Sequence, residues 1–435
     1  MNKFPKVVII GAGFAGLTAA LNLNKGPSEV RVIDKTNHHL FQPLLYQVAS
    51  AVLAPNDIAR PVREILRGQS NAIVIMGEVV TIDKDNKEVL MANGDVYTYD
   101  VLIVAPGARH SYFGNPEWEK HAPGLKDLTD ALTIRDRILR SFEKAERCDS
   151  QIDAEKYLNF VVVGGGPTGV EVAGAFAEIA YQTMMRDFRR INPSKAKIYL
   201  IEGSDRLLPS FSEKLSEKAR QDLQELGVIV RLNTMVTDVR EDLVVTNQEE
   251  IPCMNTVWAA GNAASPLLKS LDTPLDRVGR AIVEPDLSLP GYPWVFVLGD
   301  AAHSKDKEGN PLPGVAPVAM QQARHIAKYI AKVTPPEERK PFEYFDKGQM
   351  ATIGRSRAVL EVGRIKMSGF FAWVGWGLVH IMFLISFRNK FRVMMEWLLS
   401  YITGHHGSRL IQVELDPPDA DEAPISPKEQ AVSDR

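Results

Sequence analysis

Cysteine is almost absent: the 435-residue chain holds only Cys148 and Cys253. They lie far apart and form no C-x-x-C pair. This excludes a redox dithiol beside a cofactor and offers no disulfide framework, and it predicts a reducing compartment. Charge of one sign is lacking too. The net charge is -3 at pH 7, and no long basic run occurs, so general nucleic-acid affinity is not expected. Arg186, Arg189 and Arg190 are interrupted by Asp187 and Phe188 and read as a solvated helix end. Metal-ligand spacing is missing as well. His38, His39, His303 and His380 fit no H-x-x-x-H pattern, so no metal site is expected and local packing is the simpler role for His38 and His39. The first apolar run begins within a few residues of the start, and no signal peptide is expected.

What is present is a repeated glycine pattern. Gly11-Ala12-Gly13-Phe14-Ala15-Gly16 follows the apolar run Lys6–Ile10, and Gly164-Gly165-Gly166-Pro167-Thr168-Gly169 follows Asn159–Val163. Each apolar run reads as a buried parallel strand, and each glycine turn runs into an Ala/Val-rich helical stretch. A second hydrophobic strand then ends in an acid, Asp34 in one copy and Glu202 in the other. The glycines allow the tight turn, the approach of a pyrophosphate and close helix–strand packing. The helix N-terminus attracts phosphate, and the terminal acid accepts hydrogen bonds from a ribose diol. Glycine turns in ordinary α/β loops are the bland alternative, but strand, turn, helix and acid in order, twice, argue for two dinucleotide sites. Such a chain can hold an electron donor and an electron acceptor together, which suggests a flavoenzyme reduced by a nicotinamide.

The first fingerprint has a late partner in Trp294 to Ala302, a strand ending in Gly299-Asp300. An Asp there suits the sugar-alcohol chain of a flavin. The second fingerprint lies between these pieces, as expected of a nicotinamide domain inserted into a split flavin domain. Glu202 would repel a 2′-phosphate and favours NADH over NADPH, although nearby Arg206 could accommodate that phosphate. Residues 77–83, 87–91 and 99–105 read as strands, with Asn93-Gly94 as a hairpin turn. Thr129 to Ala145 reads as an amphipathic helix crossing to the second nucleotide domain. Trp258-Ala259-Ala260-Gly261 echoes Val104-Ala105-Pro106-Gly107, and both read as crossovers between domains.

The string Asn37-His38-His39-Leu40-Phe41-Gln42-Pro43-Leu44-Leu45-Tyr46-Gln47-Val48-Ala49 is not demanded by a generic dinucleotide fold. With Arg109 to Gly114, Gly164 to Glu178, Val257 to Gly261, Gly299 to Ala302 and Pro313 to Gln322, it resembles the type II NADH:quinone oxidoreductases, single-subunit respiratory enzymes that do not pump protons. The likeness runs from residue 5 to about 400. It implies noncovalent FAD, NADH as donor and a membrane quinone as acceptor. It also implies FAD contacts at Gly11, Gly13, Phe14, Ala15, Gly16, Asp34, Gln42, Val80 and Asp300, with Ala105, Pro317 and Val318 completing the cofactor contacts. NADH contacts are implied at Gly166, Thr168, Glu171, Glu202 and Gly261, within the loop Gly164 to Gly169 that includes Pro167. Glu171 and Gln321 are the expected catalytic residues. Glu171 is expected near the nicotinamide–flavin stack, assisting proton movement; the alternative is an acid merely stabilised by the helix dipole, at under about 1 kcal/mol.

Two departures from the family stand out. Many members carry A-Q-x-A-x-Q where this chain has Val315 to Gln321; the second glutamine survives as Gln321, and Pro317 replaces the first. Proline suits the first helical turn, where a backbone N–H can meet a flavin carbonyl edge. Ala105-Pro106-Gly107 stands where A-T-G is usual and removes a backbone donor.

Phe370 to Phe387 carries no Asp, Glu, Lys or Arg, and Arg388, Lys390 and Arg392 follow at once, before a second apolar stretch to Ile402. A buried helix, a dimer interface, a membrane span and a surface anchor all remain open. Trp373, Trp376 and Trp397 beside basic residues favour an interfacial anchor. The expected fold is α/β: two Rossmann-like domains, for FAD and NADH, arranged as in glutathione reductase, plus a C-terminal helical membrane-anchoring region. The expected divisions are 1–120 and 265–345 for FAD, 121–264 for NADH, 346–412 for membrane association and 413–435 as a disordered, Pro- and acid-rich tail. The partners expected are a quinone, the bilayer surface and a second copy of the chain, on the cytoplasmic face of the cell membrane. A sister quinone reductase with another donor, and a non-catalytic NADH-sensing flavoprotein, are the competing functions.

Overall fold

A computed structural model describes residues 5–24, 26, 28–403 and 407–411; the expected tail at 413–435 lies outside these residues. Two parallel sheets organise the chain. The first has six strands in the order Ser288–Leu289, Tyr292–Val297, Val101–Val104, Lys6–Ile10, Glu29–Asp34 and Ala72–Met76. All pairs are parallel except the short Ser288–Leu289 edge. The second has four strands in the order Val228–Arg231, Lys197–Ile201, Asn159–Val163 and Asn255–Trp258, all parallel. It draws only on residues 159–258, whereas the first sheet is completed by a strand from residues 292–297. In both, the strand before the glycine turn sits inside the sheet with neighbours on either side. That is where strand order reverses and where open α/β sheets hold ligands beyond their carboxyl ends. Asn159–Val163 is buried at every position, as a strand covered on both faces must be.

The residues that follow the two echoing segments meet in space. Ala108–His110 pairs antiparallel with Asn262–Ala264, joining the two passages of chain between the sheets. The stretches read as strands here go to two sheets: Val101–Val104, within the 99–105 run, enters the first sheet, while Val79–Asp83, Glu88–Met91 and Val96–Thr98 form a separate antiparallel meander. The crossover helix spans Leu128–Arg147 and is closed by a reciprocal cap, Asp127 accepting from the Asp130 N–H and Asp130 from the Asp127 N–H.

The C-terminal region is not purely helical, which corrects the expectation for residues 346–412. It opens with an antiparallel meander, Gln349–Gly354, Arg357–Val362 and Ile365–Ser368. Ala351, Ile353, Ala358 and Val359 are fully buried in it. The Pro167–Glu178 helix packs so closely that a Cβ on Gly174 would stand 1.8 Å from the Ile353 carbonyl oxygen. The apolar run then breaks into helices Phe370–Phe383 and Phe387–Thr403, with Ser386 between them at φ 85°. Among the described residues, no helix is long and apolar enough to cross a membrane. The tryptophans also face inward rather than outward. Trp376 is buried at 2% exposure, and Trp397 Nε1 donates to Gln47 Oε1 at 2.7 Å. The outward face instead carries Phe371, Leu378, Met382, Phe387, Phe391 and Ile402.

Candidate active site

The two glycine turns repeat each other closely. Gly11 at φ 95° and Gly164 at φ 111° adopt backbone that L side chains avoid. A Cβ on Gly11 would lie 2.2 Å from the Ala105 carbonyl oxygen, and one on Gly164 would lie 2.8 Å from the Ala259 carbonyl carbon. A Cβ on Gly16 would lie 1.8 Å from the Gly11 oxygen, and one on Gly169 the same 1.8 Å from the Gly164 oxygen. The middle glycines differ. A Cβ on Gly13 or Gly166 meets no atom of the chain within 4 Å. The chain's own packing therefore demands the outer glycines but not the middle one, which is the position where a pyrophosphate must approach backbone.

The terminal acids repeat as well. Asp34 accepts from the Ala12 N–H at 2.6 Å and from the Thr36 N–H and hydroxyl at 2.7 and 2.8 Å. Glu202 accepts from the Gly165 N–H at 2.6 Å and from the Ser204 N–H and hydroxyl at 2.7 and 2.8 Å. Each carboxylate fixes its glycine turn and still presents oxygen lone pairs at the strand end, suited to a ribose diol.

One cleft of about 2480 Å³ collects most of the expected residues: Gly11, Gly13, Phe14, Ala15, Asp34, Gln42, Val80, Ala105, Pro167, Thr168, Glu171, Asp300 and Pro317 all line it. Gly16, Gly164, Gly166, Gly169, Glu202 and Gly261 do not line it. Gly16 lies beneath the first turn, and the others form or adjoin the second cradle beside it. Val318 is buried on the first turn of the Ala316–Lys332 helix, under Pro317. Gln321 does not reach the cleft. Its Nε2 donates to the Phe345 carbonyl at 2.9 Å and its Oε1 accepts the Phe345 N–H at 3.0 Å, clamping a neighbouring segment. The cleft continues to Val379, His380 and Phe383 on the C-terminal helix.

Glu171 lines both this cleft and a smaller cavity of about 80 Å³ that also touches Tyr46, Glu178, Trp376 and Trp397. Burial raises its carboxyl to about 8, opposed only by a long bond from the Thr352 N–H at 3.5 Å. An acid merely stabilised by a helix dipole would move the other way, so desolvation decides here. Glu178 is raised to about 6, again first by burial, against the Arg355 N–H and the Arg355 and Arg357 charges. Burial, and then the Glu171 charge, raises the Tyr46 phenol well above its ordinary range. Tyr46 accepts from Gln47 Nε2 at 2.8 Å. His380 Nδ1 donates to the Trp376 carbonyl at 2.7 Å, and burial lowers its imidazole to about 4, so the ring is neutral with Nε2 left as an acceptor.

Residues 5–323 match the Pyridine nucleotide-disulphide oxidoreductase family, and residues 347–406 match the NDH2 C-terminal domain. Over 427 residues the chain is 44% identical to the type II NADH:quinone oxidoreductase NdhA of Mycobacterium tuberculosis, covering 94% of this chain and 90% of that relative. The chain belongs to the type II NADH:quinone oxidoreductases. Ndh of the same organism, another type II NADH:quinone oxidoreductase, is 44% identical over 421 residues, 93% of this chain and 90% of its own. Among solved structures, NDH2 from Plasmodium falciparum in complex with NADH aligns with a TM-score of 0.86 at 22% identity, covering 94% of this chain and 100% of that one. The sulfide:quinone oxidoreductase from Aquifex aeolicus aligns at 0.71 and 18% identity, covering 92% and 96%. These two share the fold.

For a member of this family, two side chains escaped sequence reasoning. Gln322 is fully buried; its Oε1 accepts the Gly299 N–H at 2.7 Å and its Nε2 donates to the Ser304 hydroxyl at 2.8 Å, bracing the turn that presents Asp300. In the sequence, His380 stands out only by lacking a metal-ligand spacing. Its place in an apolar helix run, with Trp376 one turn before it, was the available signal.

Proposed function

We propose that this protein is a non-proton-pumping respiratory NADH dehydrogenase that transfers two electrons from NADH, through FAD, to a membrane quinone. The observation that carries this reading is continuity: one cleft joins the first glycine turn, the helix after the second, and the C-terminal helix at His380. FAD supplies the hydride-accepting and electron-donating chemistry when bound. The cleft residues fit it. Gly11, Gly13 and the helix N-terminus at Phe14 and Ala15 would hold the pyrophosphate, Asp34 the ribose, and Asp300 the sugar-alcohol chain, with Gln42, Val80, Ala105 and Pro317 around them and Gly16 and Val318 as packing beneath. NADH is assigned to the second cradle: Gly164, Gly166, Pro167, Thr168 and Gly169 at the turn, Glu202 at the ribose, Gly261 beside them. Glu171 holds its proton at neutral pH next to the cleft, as a donor to quinone reduction requires. Gln321 is assigned a positioning role through Phe345. The test is direct. Purified protein is expected to be yellow, to bleach with NADH and to regain colour with a quinone; a colourless chain unable to take up flavin refutes the reading.

Residues 1–120 and 265–345 are assigned to FAD, 121–264 to NADH and 346–412 to the membrane. The helices 370–383 and 387–403 are proposed to lie on the cytoplasmic face of the cell membrane without spanning it. Each large apolar side chain moved from water contributes roughly 1.5–3 kcal/mol, and each cation of Arg388, Lys390 and Arg392 adds about 1 kcal/mol near anionic lipid. Part of the same face is assigned to contact between two copies of the chain. Serine at Phe371, Leu378, Met382 and Phe387, all exposed, is expected to release the folded protein from anionic vesicles in a flotation assay; retention sinks the anchor.

A further inference from the structure

Two opposite charges face the cleft without being matched by the chain. Asp300 enters it from the turn Gly299–Ala301, and Lys126 enters it just before the Leu128–Arg147 helix. Among the described residues, neither the Lys126 ammonium nor the Asp300 carboxylate makes a hydrogen bond or a salt bridge; they act on each other only through the field between them. Both are firmly mounted. The Lys126 N–H donates to Asp130 Oδ2 at 2.8 Å, and its carbonyl accepts from Gln42 Nε2 at 2.8 Å. The Asp300 turn hangs on Gln322, and Gly314 opposite gives it room, since a Cβ there would come within 3.0 Å of Asp300 Oδ1.

Burial lowers the pKa of the Lys126 ammonium, while Asp300 and then Asp130 raise it. Lys126 is half-buried, and a cation partly withdrawn from water without a direct partner favours an acceptor brought by a ligand. The field of Asp300 disfavours a permanent dianion such as a diphosphate at this spot. It favours a group that offers hydroxyls to the carboxylate and, next to them, a ring that gains negative charge only when reduced. Resting on the reading that this cleft holds FAD, we propose that Lys126 is a flavin-tuning residue: its ammonium, beside the carboxylate of Asp300 that would hold the sugar-alcohol chain, would stabilise the reduced state of the ring.

The test uses the flavin-loaded protein. Lys126→Met, Lys126→Gln and Lys126→Arg are compared with the parent for flavin content and for midpoint potential by reductive titration. We expect the neutral variants to keep their flavin and to shift the two-electron equilibrium at least tenfold towards the oxidised form, a fall of about 30 mV. Lys126→Arg is expected to retain most of the parent potential. An unchanged potential in flavin-loaded Lys126→Met overturns the proposal. Loss of flavin from both neutral variants also overturns it, because Lys126 is then an anchor and not a tuner. A parent protein without flavin sinks the functional reading itself, which is a different outcome.

Discussion

Replacing Glu171 by glutamine removes a carboxyl that the fold holds at about 8, against 4.5 for the free side chain. The folded value lies above the unfolded one, so the folded protein keeps a proton that the unfolded chain releases. That contribution to stability is complete below the unfolded value and is lost as pH climbs towards 8. Each unit of difference is 1.36 kcal/mol. Between pH 5 and pH 8 the parent protein should therefore lose on the order of 3 kcal/mol through this one group, less whatever the open side of the cleft screens. The amide of the variant has nothing to titrate. Urea unfolding of the parent and of Glu171→Gln, at intervals from pH 5 to pH 9, isolates the effect as the difference between the two curves. The difference should move steadily in favour of the variant as pH rises and level off above about 8. Quinone turnover should lose its inflection near 8 in the variant while flavin content stays the same. A stability difference that is flat across this range refutes the buried, protonated carboxyl and the donor role built on it.

Gly13→Ala and Gly16→Ala should part company. The first is expected to fold, with an unchanged far-ultraviolet spectrum, yet purify without flavin; the second is expected to fail as a fold, because its Cβ meets the Gly11 oxygen at 1.8 Å. Glu202→Gln should raise KM for NADH and narrow the discrimination against NADPH, measured as the ratio of kcat/KM for the two donors; an unchanged ratio removes Glu202 from the ribose site. Gln322→Leu strands the Gly299 N–H and the Ser304 hydroxyl and should cost about 1–3 kcal/mol, read in the unfolding midpoint together with faster loss of flavin.

The glycine cradles were legible because their logic is local: strand, turn, helix and acid follow one another between Lys6 and Asp34 in one copy and between Asn159 and Glu202 in the other, and the steric demand falls on neighbours in sequence. The split first sheet was legible for the same reason, since Gly299-Asp300 ends an apolar strand. The C-terminal meander was not. Residues 349–368 are short strands whose inward face is decided by a distant helix, through the approach of Gly174 to Ile353. The tryptophans mislead for a related reason. Composition reports a Trp and a basic cluster close in sequence, but only packing tells that Trp376 turns inward and that Trp397 reaches Gln47. Gln321 and Gln322 make the limit concrete. Successive helical positions point about 100° apart, so one glutamine clamps Phe345 and the other sits under the Asp300 turn. A motif match names the pair without telling which amide faces inward.

The ribbon of Ala108–His110 and Asn262–Ala264 ties the outgoing and returning passages of chain to each other by hydrogen bonds. Two independent tethers would let the halves swing, twist and slide. A bonded double strand behaves as one strap, which flexes easily across its thin direction and resists shear. Any relative movement of the two sheets that keeps this pairing is then confined to bending across the strap.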